Sequence, residues 1–348
     1  MVAPFDFSKI HKDRSKRLGL RAGFDDPITW IDTGSYALNK MISGRFDRGV
    51  PLGAVTVFAG EQGSGKSYLV SGNIVRDALA KGCEVVIIDT EDALKETWMR
   101  NLGVDTDHPN LHKEICNTVN QVANCINEYA ELYVKAFKDR PREEHLKVLF
   151  VIDSLGLLQT ETEIEQFEKA DLKGDKGIKA KALKMLVSNC IRLFSGYEIG
   201  LVATNHVYKS QDMYNPDDII SGGSGFMYAS SIVVSMNKRK LKDDSNKSEV
   251  LGIRSKIKCL KTRYSKPFEE VEVLIPYATG MDRYSGLFDL CEQKKVFLKD
   301  GNRYRYTSSN GTEHKLFRKD MSPEFYEMVM REWQDSPRHE TLEIEDDE

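Results

Sequence analysis

The chain has 348 residues, of which 40% are hydrophobic and 30% charged, with a formal net charge of −4. That length holds one large core with appendages or two modest domains, and the composition is that of a soluble globular protein. The acidic balance argues against a uniformly basic nucleic-acid binder, no apolar run approaches the roughly 18–20 residues that cross a bilayer, and six cysteines without a CxxC pair give no zinc or disulfide framework.

Met1 to Arg21 is mixed and basic without an apolar stretch, so no secretory signal is expected. Cys83 and Cys190 sit inside apolar runs, as buried reduced thiols of a cytoplasmic protein do. Charge is unevenly spread. Lys238 to Lys266 carries eleven Lys or Arg against three acids, whereas Glu340 to Glu348 carries six acids.

In chain order, residues 1–27 read as a short helix or an extended arm, and core structure begins near Ile28-Thr29-Trp30-Ile31. Gly53 to Ala59 is a short β-branched apolar run that meets Gly60, the pattern of a buried strand. Leu69, Val70, Asn73, Ile74, Ala78 and Leu79 then recur at helical spacing until Lys81-Gly82. Glu84 to Asp89 is a second strand; helical patterns follow over 92–101 and 117–138, and Lys147 to Asp153 is a third strand. Ile178, Ala182, Met185, Leu186, Cys190, Leu193 and Phe194 mark a long helix, and a fourth strand, Leu201 to Thr204, ends in Asn205-His206. Strands alternating with helices predict a parallel sheet covered on both faces. The runs 231–236, 250–260 and 270–275 lack intervening helices, so the sheet's far edge should turn antiparallel. The expected fold is an α/β P-loop core over 28–280, with an N-terminal arm at 1–27, a small module at 281–335 that ends in a helix near Pro323–Trp333, and an acidic disordered tail at 336–348.

Gly60-Glu61-Gln62-Gly63-Ser64-Gly65-Lys66-Ser67 has the G-x-x-x-x-G-K-[ST] spacing. Its glycines let successive backbone N–H groups face the β-phosphate of ATP, Lys66 offsets β/γ charge, and the Ser67 hydroxyl is placed for Mg2+. Tyr68 opens the following helix, whose N-terminus favours anions. Asp153 ends a hydrophobic strand; beside a phosphate loop that is the place of a second acidic group on the magnesium. Hydrolysis also needs a group to orient the attacking water. Asp89 and Glu91 both follow the second strand, and strand alternation puts them on one face with Thr90 pointing away. Glu91 reaches further out and is chosen as base; the other use of either carboxylate is to cap the helix that follows.

Val86 to Leu94 with Trp98 and Leu102-Gly103-Val104-Asp105, Thr33-Gly34-Ser35, Val151-Ile152-Asp153-Ser154-Leu155, Asn205-His206 followed by Gly222-Gly223-Ser224-Gly225-Phe226-Met227-Tyr228, and Gly280 to Leu290 together resemble the ordered motifs of the RecA-type recombinases over roughly residues 28–295. His after Asn, with Gly-Gly-x-Gly-x-Met-Tyr, looks most like the UvsX-type branch found in T4-like bacteriophages, which would place the protein in a host cytoplasm.

The resemblance implies a DNA-dependent ATPase that forms helical filaments on single-stranded DNA and exchanges strands with homologous duplex DNA, with mediator and single-strand-binding proteins as further partners. Glu91 would be the water-activating glutamate, Trp98 the adenine-stacking aromatic and His206 the γ-phosphate sensor, where bacterial members usually carry Gln. Lys261 and Arg263 match cations that reach the neighbouring subunit's ATP and stabilise phosphoryl charge. Two loops would face DNA. One lies within Gln159–Gly177; the other, Val207–Ser221, offers Tyr208, Met213 and Tyr214 to bases and Lys209 to phosphate, with Gly222 and Gly223 allowing close backbone approach. Lys256 and Lys258 share a strand face and read as solvated edge positions. A RecA-fold hexameric helicase and an ATP-binding recombinase mediator are the competing readings.

Overall fold

A computed structural model describes residues 6–18, 24–170, 177–208, 219–223, 225–243 and 248–335. Helix α1 (Phe7–Arg17) is followed by β1 (Trp30–Ile31), α2 (Tyr36–Ser43) and β2 (Val50–Pro51). Helix α2 starts where the Ser35 hydroxyl accepts from the Leu38 amide and stops at Gly44, whose φ of 78° lets the chain leave. Strand β3 (Val55–Gly60) runs into the phosphate loop, then a π-helical turn (Tyr68–Ile74) continues as α3 (Val75–Ala80). The next elements are β4 (Glu84–Asp89), α4 (Glu96–Asn101), β5 (Leu111–Ile115), α5 (Val119–Phe137), β6 (Val148–Asp153), α6 (Glu161–Glu168), α7 (Ile178–Phe194) and β7 (Ile199–Tyr208). After β8 (Ile219–Ile220) and α8 (Gly225–Ala229) come β9 (Ile232–Lys242), β10 (Val250–Lys261) and β11 (Glu270–Pro276). The chain closes with α9 (Leu287–Gln293), β12 (Leu298–Asp300), β13 (Arg303–Thr307), β14 (Glu313–Leu316) and α10 (Pro323–Asp335).

The nine-stranded sheet runs β11-β10-β9-β3-β7-β6-β4-β5, with β8 on the end of β7. From β9 to β5 the pairs are parallel; β10 and β11 are antiparallel, as expected from their missing crossover helices. Alternation sorts each strand's side chains to two apolar clusters. Val55, Val57 and Ala59 of β3 join Val122 and Ile126 of α5 and Val187 and Phe194 of α7, while Phe58 joins α2, α3 and the C-terminal aromatics Phe288, Phe297, Tyr306 and Trp333. The parallel strands are therefore apolar on both sides. Segment 281–335 has its own three-stranded sheet, yet Trp333 packs on Phe46 with ring centroids 5.3 Å apart.

Several local expectations are corrected. Asn205 and His206 lie inside β7, which continues to Tyr208 because β8 pairs with Val207 and Tyr208. Lys256 and Lys258 are not on a sheet edge: β10 is flanked by β9 and β11, and both ammonium groups approach Glu270. Within Gln159–Gly177 the acidic stretch 161–168 folds as α6, started by a capping box between Thr160 and Glu163, while residues 171–176 fall outside the described residues. Helix 92–101 shortens to α4, because Asp89 holds residues 91–94 in a turn. Strand β5 went unrecognised, since Leu-His-Lys-Glu-Ile is too polar to read as buried.

Candidate nucleotide site

The carboxyl ends of β3, β4, β6 and β7 meet on one side of the sheet, where open α/β folds place ligands. Two glycines of the loop have steric reasons. A Cβ on Gly60 would stand 2.4 Å from the Met236 carbonyl oxygen, and Gly65 has φ +96° with Ile275 Cδ1 2.5 Å from where a Cβ would be. Lys66, 6% exposed, donates from Nζ to the carbonyls of Gly60 (2.8 Å) and Glu61 (2.9 Å). Burial holds its pKa below the ordinary lysine value, against the opposing pull of Asp153 and Glu91. Ser255 donates to the Ser64 carbonyl at 3.0 Å. The Ser67 hydroxyl makes no capping bond at the start of the π-helical turn.

Asp153 is buried, with both oxygens held by hydroxyls: Thr204 Oγ1 donates to Oδ1 at 2.5 Å and Ser71 Oγ to Oδ2 at 3.0 Å. The π-helical turn carries Ser71 to it. Ser67 and Asp153 are hard oxygen donors, the kind magnesium takes, and the rest of such an ion's shell would come from phosphate and water. No group of three or more His, Cys, Asp or Glu among the described residues could hold a metal alone. Tyr68 and Trp98 pack edge to face on the flank of the loop, ring centroids 5.7 Å apart.

The two carboxylates after β4 divide their roles. Asp89 is fully buried and folds the following turn, Oδ1 accepting from the amides of Glu91 and Ala93 (both 3.2 Å) and Oδ2 from Leu94 (3.0 Å). The expected shared face for Asp89 and Glu91 fails, because the strand ends at Asp89 and the turn redirects Glu91. Thr90 instead ties the turn to β6, exchanging hydrogen bonds with Ser154 at 2.8 Å each way. Glu91 faces the other site groups. Ser154 Oγ donates to its Oε1 at 3.0 Å, and His206 Nε2 lies 3.4 Å from that oxygen and 3.3 Å from the hydroxyl. Close approach of the turn after β6 (Leu155–Leu157) to β7 accompanies this triangle: a Cβ on Gly156 would meet His206 Cδ2 at 3.0 Å and Asn205 Oδ1 at 2.9 Å.

Lys261 and Arg263 are not at this pocket. Gly60 is level with Met236, and Met236 with Ile257; Val57 is level with Val233, and Val233 with Lys261. Lys261 is thus level with Val57, three positions behind Gly60 and roughly 10 Å back along the sheet. Its Nζ donates to the carbonyls of Met227 (3.3 Å) and Tyr228 (2.5 Å) at the end of α8, and burial, with Arg263 nearby, holds its pKa below the usual lysine range. Arg263 is exposed. Tyr208 is exposed at the end of β7, its hydroxyl 3.4 Å from Ser221 Oγ. Gly222 and Gly223, at φ +85° and +79°, lie against Leu183 and Ala180 of α7. Lys209, Met213 and Tyr214 fall outside the described residues, as does the acidic tail.

Three contributors escaped the sequence reading. Lys238 reaches from β9 to the Gln62 carbonyl, so two lysines between them hold three successive loop carbonyls. Ser154 stood in plain view behind Asp153, but only the fold puts it between Glu91 and His206. Lys113 approaches Asp89 from β5.

A lysine-bearing phosphate loop after β3, a buried carboxylate at the end of β6, one strand removed, and a second carboxylate just beyond β4 define a P-loop nucleotide hydrolase. The RecA N-terminal domain family matches residues 7–282, and the chain belongs to that family. It is therefore a DNA-dependent ATPase at the family level, using ATP with magnesium. Similar chains include protein RecA of Geobacter metallireducens, 30% identical over 305 residues that cover 86% of this chain and 83% of that one. Protein RecA of Geobacter sulfurreducens is 29% identical over 303 residues (86% and 83% covered). Protein RecA 2 of Myxococcus xanthus is 28% identical over 305 residues (86% and 78%). No helix among the described residues is long and apolar enough to cross a membrane.

Proposed function

We propose that this protein polymerises on single-stranded DNA in its ATP-bound form and pairs it with homologous duplex, with hydrolysis resetting the filament. The carrying observation is the triangle of Glu91, Ser154 and His206 at the root of the β7–β8 segment. In this reading Glu91 takes the proton of the attacking water, while His206 passes the state of the γ-phosphate along β7 to the loop of Tyr208, Lys209, Met213 and Tyr214, where bases and phosphates bind. Gly222 and Gly223 lie at the loop's far end. His206 in the sensor position and the Gly-Gly-x-Gly-x-Met-Tyr run favour the UvsX-type branch. Trp98 and Tyr68 take the adenine side. ATPase assays with and without single-stranded DNA, and electron microscopy of ATP-bound protein on DNA, test the reading; a ring, or turnover indifferent to DNA, sinks it.

Ser154 is placed to keep the base and the sensor in step. Ser154→Ala should lower the ratio of DNA-stimulated to basal turnover about 10-fold, one hydrogen bond's worth, with the KM for ATP little changed. An unchanged ratio removes Ser154 from the coupling.

The register of β10 supports action of Lys261 and Arg263 across a subunit junction, because both lie behind their own pocket. Lys261→Ala or Arg263→Ala should each reduce turnover about 10–100-fold, the worth of a charge-assisted hydrogen bond. Mixing either variant with subunits lacking Glu91 should restore part of it, since some junctions then carry an intact cation and an intact base. No recovery at any mixing ratio counts against the junction.

Residues 1–27 are the arm we assign to docking on the next copy. Helix α1 exposes Phe7 and Ile10. The sheet ends at β5, beside an apolar cavity of about 350 Å³ lined in part by Leu132, Tyr133 and Phe137. The mediator reading is weaker, because Lys66, Ser67, Glu91 and Asp153 are all in place.

A further inference from the structure

We infer that Lys113, on the outermost strand, is a positioning residue for the catalytic carboxylate, acting through Asp89. The inference rests on Glu91 being the base.

Lys113 pairs level with Ile87 in the β4–β5 ladder, two positions before the end of β4. Its ammonium passes forward along the sheet's end to Asp89 Oδ2 at 2.9 Å and donates to the Leu94 carbonyl, also at 2.9 Å; Asp92 Oδ1 is 3.6 Å away. Asp89 has no exposed surface, and no other cation is within ion-pair distance of it among the described residues. A carboxylate buried this way stays ionised only when paired and hydrogen-bonded. Lys113 supplies the pairing charge, and three amides supply the rest.

Those amides belong to Glu91, Ala93 and Leu94, so they span the turn that aims Glu91. Asp92, inside it, is held at φ +47°, a backbone state that a non-glycine residue keeps only when its surroundings impose it. Lys113 grips the turn twice, at its organising carboxylate and at the Leu94 carbonyl that closes it. Without the ammonium, Asp89 loses its counter-charge, the turn loses a clamp, and the Glu91 carboxylate is no longer held against Ser154 and His206. Lys113 itself makes no contact with the loop Gly60–Ser67 in the hydrogen-bond and ion-pair geometry described, so nucleotide affinity should be spared.

The test is single-stranded-DNA-stimulated ATP turnover by Lys113→Met, Lys113→Arg, Asp89→Asn and the Lys113→Met/Asp89→Asn pair, with thermal melts of each. Lys113→Met should lose about 10–100-fold in kcat, the penalty of a misaimed catalytic group, while the KM for ATP moves by less than about 3-fold. Lys113→Arg should recover most of the loss. The double variant should be no slower than Asp89→Asn alone, because both changes break one unit. If Lys113→Met melts below the assay temperature, Lys113→Gln, which keeps a donor without charge, carries the comparison. Wild-type kcat in the uncharged variants, or losses that multiply in the pair, overturns the inference. Glu91→Gln in the same assay separates the two readings: its normal turnover would remove the base, whereas an inactive Glu91→Gln beside a fully active Lys113→Met would remove only Lys113.

Discussion

Lys66→Ala should lose ATP binding by about 10²–10³-fold or more, corresponding to roughly 3–5 kcal/mol for removing one member of a buried charge pair. The lysine is almost wholly inside the protein, and its ammonium rests on the carbonyls of Gly60 and Glu61. Those contacts are neutral acceptors; triphosphate oxygens are charged, so exchanging one set for the other favours binding in a poorly solvated place. Alanine removes the exchange and leaves the phosphates facing backbone amides alone. Lys238 is engaged at the Gln62 carbonyl, not at those of Gly60 and Glu61 that Lys66 holds. Equilibrium nucleotide binding measures the loss, and ATP-dependent DNA binding should disappear with it. Retained affinity would mean that the amides of Gly63 to Ser67 carry the phosphates by themselves.

Glu91→Ala should behave in the opposite way. ATP and DNA should still bind, while kcat falls about 10²–10⁴-fold, the usual contribution of a positioned general base. Asp89 cannot take over, because its oxygens are committed to the amides of Glu91, Ala93 and Leu94 and to the Lys113 ammonium. Those bonds hold the Asp89 carboxyl below the ordinary carboxylate pKa despite the opposing effect of its burial. It is a poor proton acceptor on that account as well as on geometry. Single-turnover phosphate release, compared with DNA binding in the same buffer, checks both halves. Near-normal hydrolysis would move the base elsewhere.

The phosphate loop and Asp153 could be found before folding because their chemistry is local: a strand, a fixed spacing and a helix start. Glu91 was chosen for a reason that does not hold. Strand alternation stops at Asp89, and hydrogen bonds from the turn, not the pleat, aim the glutamate. The resemblance pointed to the same residue. The roles of Ser154, Lys113 and Lys238 could not be read for a different reason. A serine or lysine has no spacing of its own, and each meets its partner across a long stretch of chain: Lys238 and Gln62 are 176 positions apart. The polar strand β5 escaped because one of its edges lacks a neighbouring strand among the described residues, so its sequence has no cause to be apolar throughout. Lys256 and Lys258 misled in the converse way. They are polar on an interior strand because Glu270 stands beside them.

Lys261 stands level with Val57 and behind its own phosphate loop. If the cation pair completes the next copy's pocket, as proposed, a run of n subunits would contain n bound nucleotides but only n − 1 finished junctions. The molecule at one end would then hold ATP that it is ill-equipped to split. Short runs would then turn over less per subunit than long ones, and one end would keep its triphosphate while the interior ages. A polymer built this way has a clock that runs inside and a cap that does not, which gives its two ends different lifetimes.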